Sequence, residues 1–63
     1  MDLTKYIGKF VKVRLYRKRS FREFYGRLAY VKYSEICLVK NGVPKWVRRP
    51  SRYRDSIKEV AEK

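Results

Sequence analysis

From Lys9 to Tyr16 apolar and polar positions alternate, with Val11, Val13 and Leu15 on one face and Phe10, Lys12, Arg14 and Tyr16 on the other. That period of two is the signature of a half-buried strand. The basic run Arg17-Lys18-Arg19-Ser20-Phe21-Arg22 interrupts the alternation and reads as a hairpin loop. A second strand follows from about Glu23 to Lys32, with Phe24, Gly26, Leu28 and Tyr30 on one face and Tyr25, Arg27, Ala29 and Val31 on the other. Gly26 in mid-strand predicts a bulge or sharp bend, the device that lets a short sheet curl. After a turn at Tyr33-Ser34, Glu35 to Lys40 and Val43 to Arg49 flank Asn41-Gly42, the strongest hairpin signal in the chain, because a type I′ turn needs positive φ at both central residues. A two-residue loop sets Lys40 opposite Val43, Val39 opposite Pro44, Leu38 opposite Lys45, Cys37 opposite Trp46 and Ile36 opposite Val47. Pro44 has no amide hydrogen, so its nitrogen should face a sheet edge.

The two ends are less regular. Asp2 is placed to cap a short turn through Tyr6, which Gly8 would end. After Pro50, Ser51 is a good N-cap, and Tyr53, Ile57 and Val60/Ala61 recur at helical spacing, so a C-terminal helix is the first expectation. A short last strand through 56–60 is the competitor. The expected core is Leu3, Ile7, Val11, Val13, Leu15, Phe24, Leu28, Tyr30, Ile36, Leu38, Val47, Ile57 and Val60, a small curled antiparallel sheet with one end plugged.

Length and composition narrow the chemistry. Sixty-three residues make one domain, and 44% apolar with 16% aromatic content is too much for a disordered basic tail. No apolar run approaches a membrane span, and the first residues lack the apolar stretch of a signal peptide. The lone Cys37 forms no internal disulfide and, without His, no zinc site. It reads as a small buried apolar residue in a cytoplasmic protein. One Asn, no Gln and abundant Lys, Arg and Glu fit a thermophile. With no His, no paired acids and no Gly-rich phosphate loop, a non-enzyme without cofactor or metal is expected.

Eighteen Lys and Arg against six acids give a net charge of +12. Residues 1–22 hold eight cations and one acid, and residues 45–54 hold five cations and no acid. Such an excess destabilises a compact chain unless a polyanion neutralises it. The cations sit on strands and hairpin loops, not on an amphipathic helix, which favours nucleic acid over an acidic membrane. On the first hairpin the expected phosphate contacts are Lys12, Arg14, Arg17, Lys18, Arg19, Arg22 and Arg27; toward the C-terminus they are Arg48, Arg49, Arg52 and Arg54. Aromatics lie beside these cations, and Tyr16, Phe21, Tyr33 and Trp46 are the candidates for stacking on bases. For Trp46, packing with a wet polar tip is the equal alternative.

Read in line, Tyr6-Ile7-Gly8-Lys9-Phe10-Val11-Lys12-Val13-Arg14-Leu15, Phe24-Tyr25-Gly26-Arg27-Leu28 and Glu35-Ile36-Cys37-Leu38 resemble the first motif of the Sm-like RNA-binding proteins. The resemblance covers about residues 3–39. It implies a mainly β fold, a strongly bent antiparallel SH3-like barrel of four to five strands, preceded by a short helix and bent at Gly26. It also implies binding of single-stranded RNA within a ribonucleoprotein, and in the family at large a homo-oligomeric ring. The chain departs from the pattern at the family's uridine-reading loops. Lys32 stands where the family has Asp, Glu35 falls near its Asn in a loop one residue short, and Arg54-Asp55-Ser56-Ile57 lacks the Gly of Arg-Gly-x-x-Ile. Tyr33 and Arg54 alone carry over, as a stacking residue and a phosphate or base contact, with Lys32 beside them. Uridine selectivity and the ring are not carried by the matched residues. A second resemblance, of architecture only, is to the small crenarchaeal chromatin proteins, which are basic SH3-like barrels closed by a C-terminal helix and would bind duplex DNA. A ribosomal component of the same barrel type, and an adaptor docking its basic face on an acidic protein, are the remaining readings.

Overall fold

The computed structural model describes residues 3–51 and 54–62. Five antiparallel strands form one sheet: β1 (Phe10–Arg17), β2 (Ser20–Val31), β3 (Glu35–Lys40), β4 (Val43–Arg48) and β5 (Ser56–Glu59), in the order β4-β3-β2-β1-β5. The edge strands β4 and β5 share no ladder, so the curl stops short of a closed barrel. A 3-10 turn at Thr4–Tyr6 precedes β1. Gly8 ends that turn at φ 86°, and its amide donates to the Leu28 carbonyl at 2.8 Å, docking the N-terminal segment on β2. Leu3, at the head of this segment, is fully buried. The cap expected at Asp2 lies outside the described residues, and Leu3 makes no side-chain cap.

The alternation of β1 holds as expected, with Val11, Val13 and Leu15 buried. They join Leu3, Leu28, Ile36, Leu38, Val47 and Ile57 in one core cluster, with Phe24 and Val31 packed against it. Asn41 and Gly42 take φ 54° and 77°, and the β3–β4 register is the expected one, from Lys40↔Val43 to Ile36↔Val47. Pro44 sits on edge strand β4. The first hairpin is tighter than expected. Pairing continues through Tyr16↔Phe21 and Arg17↔Ser20, leaving only Lys18-Arg19 as the turn, with Lys18 at φ 51°.

Three expectations are corrected. The bulge in β2 does not fall at Gly26. At Gly26 β3 runs close against β2, since a Cβ there would lie 3.0 Å from Leu38 Cβ and 3.2 Å from the Val39 carbonyl. The register shift falls later, between Leu28 and Tyr30, where Ala29 is the extra residue. One inserted residue inverts the parity of everything beyond it, so Val31 packs toward the core and Tyr30 is 64% exposed. Ile7 is exposed because the segment docks through Leu3 instead. Finally, the C-terminal segment is a strand. Ser56–Glu59 pairs with the free edge of β1, setting Ile57 opposite Val13. Branched Ile57 and Val60 suit that edge better than a short solvent-facing helix, and Ser51, expected to cap a helix with its hydroxyl, donates its amide to Asp55 Oδ2 at 2.9 Å.

Candidate nucleic-acid interface

The cations nearest the first turn gather around a cavity of about 690 Å³ at one end of the sheet. Arg17, Lys18 and Arg22 line it from the β1–β2 hairpin, Arg48 from the end of β4, and Arg54 from the segment joining β4 to β5. Pairing of Leu15 with Arg22 places Arg22 on the inward-facing parity of β2, directly opposite the last core residue of β1. Leu15 and Phe24 form the apolar lining, and Tyr16 borders the cavity through its backbone, its ring lying on the other face of β1 against Phe21. Arg19 occupies the turn itself and is exposed. Arg52 and Tyr53 lie outside the described residues.

The cavity's one acid among the described residues, Asp55, is 8% exposed and bolts three segments together. Its Oδ1 accepts the Tyr16 amide at 2.7 Å, and its Oδ2 accepts the Ser51 amide and Arg48 Nη1, both at 2.9 Å. Arg48 also donates to the Tyr16 carbonyl at 3.3 Å. Burial pushes the Asp55 carboxyl up, but the two amides and the guanidinium outweigh it and hold the group below the ordinary carboxylate range. Asp55 thereby ties β4 to β1 across the open side of the barrel, where no strand ladder does.

Several expected phosphate contacts turn toward carboxylates. Glu23 Oε2 accepts Arg14 Nη2 at 2.8 Å and lies 3.4 Å from Lys12 Nζ. The hydrogen bond from Arg14 lowers the Glu23 carboxyl. Arg27 reaches Glu62 at 2.9 Å and the Gly8 carbonyl at 2.6 Å, and Lys9 faces Glu59 at 3.5 Å. Exposed pairs of this kind contribute at most about 1 kcal/mol. Arg49 donates to the Lys32 carbonyl at 3.2 Å, and its amide donates to the Ser34 carbonyl at 3.0 Å, so the β2–β3 turn and the β4–β5 connection adjoin.

The four stacking candidates stand in different settings. Tyr33 is 97% exposed on the β2–β3 turn. Phe21 pairs with Tyr16 at 5.5 Å between ring centroids, and the Arg14 guanidinium lies 4.5 Å over its ring. Trp46 stacks on Tyr30 at 6.3 Å, with Lys32 Nζ 4.7 Å above the indole. Cys37, buried as expected, pairs with both Tyr30 and Trp46 in the ladder. Tyr30 escaped the sequence reading because the bulge at Ala29 has no marker of its own.

Lys40, Lys45 and Lys58 were also missed. Lys40 lies 5.8 Å over the Tyr25 ring and Lys45 4.8 Å over Phe24. With Lys12, Lys40 and Lys58 line a second, smaller groove of about 530 Å³ against Phe10 and Tyr25. The signal available was alternation itself, since Lys12, Tyr25 and Lys58 are neighbours across β5, β1 and β2 once β5 is a strand. Asp55 was missed too, although it is the first acid after the basic stretch 45–54. Among the described residues no helix is long and apolar enough to cross a membrane, and no group of three or more His, Cys, Asp or Glu is placed to hold a metal. Comparison with protein-family models, curated proteins and solved structures finds no match to this chain.

Proposed function

We propose that the protein is a non-catalytic RNA-binding module of Sm-like or SH3-like type, a cytoplasmic component of a ribonucleoprotein. The observation that carries this reading is the convergence of Arg17, Lys18, Arg22, Arg48 and Arg54 on one end cavity whose only acid among the described residues, Asp55, is already paired with Arg48. Guanidinium forks suit phosphate oxygens, and exposed aromatic rings beside cations suit unpaired bases. Tyr33, Phe21 and the Tyr30–Trp46 pair supply such rings around the same molecule. Catalysis fits poorly, because Glu23 and Asp55 are both held ionised by cations and amides and so are poor proton donors near neutral pH.

The test is a competition titration with single-stranded RNA, structured RNA and duplex DNA at one salt concentration, repeated from about 50 to 200 mM. Six to ten phosphate contacts on a duplex would cost roughly 10³–10⁵ in affinity over that range, and a single strand somewhat less. RNA preference with a steep salt response is expected. Preference for duplex DNA would move the protein to the chromatin reading, and a flat salt response would remove backbone contact altogether. An acidic-protein adaptor predicts a native complex that survives nuclease.

A further inference from the structure

We propose, resting on the RNA-binding reading above, that the end cavity is a site for a phosphoanhydride, the 5′-di- or triphosphate end of an RNA chain. The cavity holds the linked phosphates themselves, and the first nucleoside lies outside it.

The uncompensated charge of the cavity exceeds what one backbone phosphate can meet. Arg17, Lys18, Arg22 and Arg54 line it and form no ion pair among the described residues, while Arg48 is matched by Asp55. Cations gathered around one cavity repel one another until an anion arrives. A backbone phosphodiester brings a single charge, with a sugar and base on either side of it. The remaining lining gives a base no open ring, since Leu15 is buried and Lys45 lies 4.8 Å over Phe24. A phosphoanhydride brings several charges joined through shared oxygens, with no sugar between them. At about 690 Å³ the cavity falls within the range that encloses small ligands, and a lone phosphate would reach only part of the cation set.

The Asp55 clasp sets the backbone of the site before any ligand binds. Asp55 accepts the amides of Tyr16 and Ser51, and Arg48 donates to the Tyr16 carbonyl, so the chain beside Arg17 and beside Arg54 is tied down. Lys18 sits at φ 51° in the two-residue turn, and Arg22 stands opposite Leu15 on the inward parity of β2. A backbone already in place leaves less to order on binding. Arg17, Arg22 and Arg54 each offer paired N–H donors that match phosphoryl oxygens. The acids of an extended peptide alternate from side to side, so they present charge less densely than an anhydride does. The smaller groove at Lys12, Lys40 and Lys58 is the weaker candidate, because Glu23 already engages Lys12 at 3.4 Å.

The experiment titrates the full chain, in magnesium-free buffer, with two RNAs of one sequence, one ending in a 5′-triphosphate and the other in a 5′-hydroxyl. The triphosphate RNA is expected to bind roughly ten- to a hundred-fold more tightly, the factor that one hydrogen bond between charged groups supplies. Arg22→Met and, independently, Arg54→Met should each remove most of that difference while leaving the amide spectrum dispersed. Lys58→Met makes the same change in net charge outside the cavity and should leave the difference intact. Equal loss in all three variants would overturn the site and reduce the preference to general attraction by a chain of net charge +12. Equal affinity for the two RNAs would overturn it as well and leave the RNA reading standing. Inorganic tripolyphosphate should displace the triphosphate RNA and move the amide signals of Arg17, Lys18, Arg22 and Arg54. Displacement as effective by orthophosphate or by polyglutamate, at matched charge, would sink the anhydride assignment. Tripolyphosphate that moves these signals in a protein to which no RNA binds at about 50 mM salt would keep the anhydride site, give it to a free nucleotide or polyphosphate, and sink the RNA reading.

Discussion

Asp55 is one carboxylate on which three segments depend, and its removal separates packing from charge. Asp55→Ala strands the Tyr16 and Ser51 amides and releases Arg48. Hydrogen bonds to a charged group are worth about 1.5–3 kcal/mol each, so a loss of about 2–4 kcal/mol in urea denaturation is expected. Because the folded carboxyl titrates below its unfolded value, its contribution is complete above about pH 4 and disappears as pH falls through the folded value. The native protein should therefore weaken on acidification below about pH 4, and Asp55→Asn should weaken less steeply. Some dependence should persist, since Glu23 is lowered in the same direction by Arg14. An Asp55→Asn curve parallel to the native one would contradict this role. Glu23 carries the opposite consequence for binding, because it holds Lys12 and Arg14 away from phosphate. Glu23→Gln frees both, and the salt dependence of single-strand RNA binding should steepen by about 0.7 per added phosphate contact. Unchanged affinity and slope would show that this part of β1 does not meet the ligand.

Among the elements, β2 is the central strand of the sheet, and Gly26 is a point of close approach to β3. Any side chain at Gly26 meets the backbone of Val39, which cannot rotate away. Gly26→Ala should cost about 1–3 kcal/mol of stability, the range for overpacking, lowering the melting temperature by roughly 4–8 °C per kcal/mol in a domain of this size. A melt within about 1 °C of the native protein would mean that β2 and β3 can part there without loss. The neighbouring elements show why some of this was legible in sequence and some was not. Asn41-Gly42 and the Val11-Val13-Leu15 alternation are local signals, so turn, register and facing residues followed from them. The Ala29 bulge is set by how β3 lies across β2, and nothing at Ala29 itself announces it. The last strand is decided by the empty edge of β1, some forty residues earlier, while its own residues fit helix spacing equally well. The candidate site divides the same way. Its basic runs are plain in sequence, but the meeting of Arg22 with Arg54 requires both the inward parity of Arg22 and the strand assignment of β5.

For the whole molecule the surplus charge sets a balance between salt and ligand. A net charge of +12 on 63 residues opposes compaction through self-repulsion that dissolved ions screen over roughly 10 Å at 0.1 M. The free protein should accordingly melt higher as salt rises from about 10 mM to a few hundred millimolar. Bound RNA should stabilise by mass action, about 2.7 kcal/mol at a hundred times its dissociation constant, which corresponds to roughly 10–20 °C. That increment must shrink as salt rises, because the same ions that relieve repulsion also weaken phosphate contacts. Melting curves with and without RNA should converge from opposite directions, the free protein climbing while the complex falls. A free protein indifferent to salt would mean that the five ion pairs found among the described residues, at Glu23, Asp55, Glu59 and Glu62, already neutralise the repulsion locally. The basic end would then have no electrostatic need of a polyanion, and RNA binding would have to rest on the aromatic rings alone.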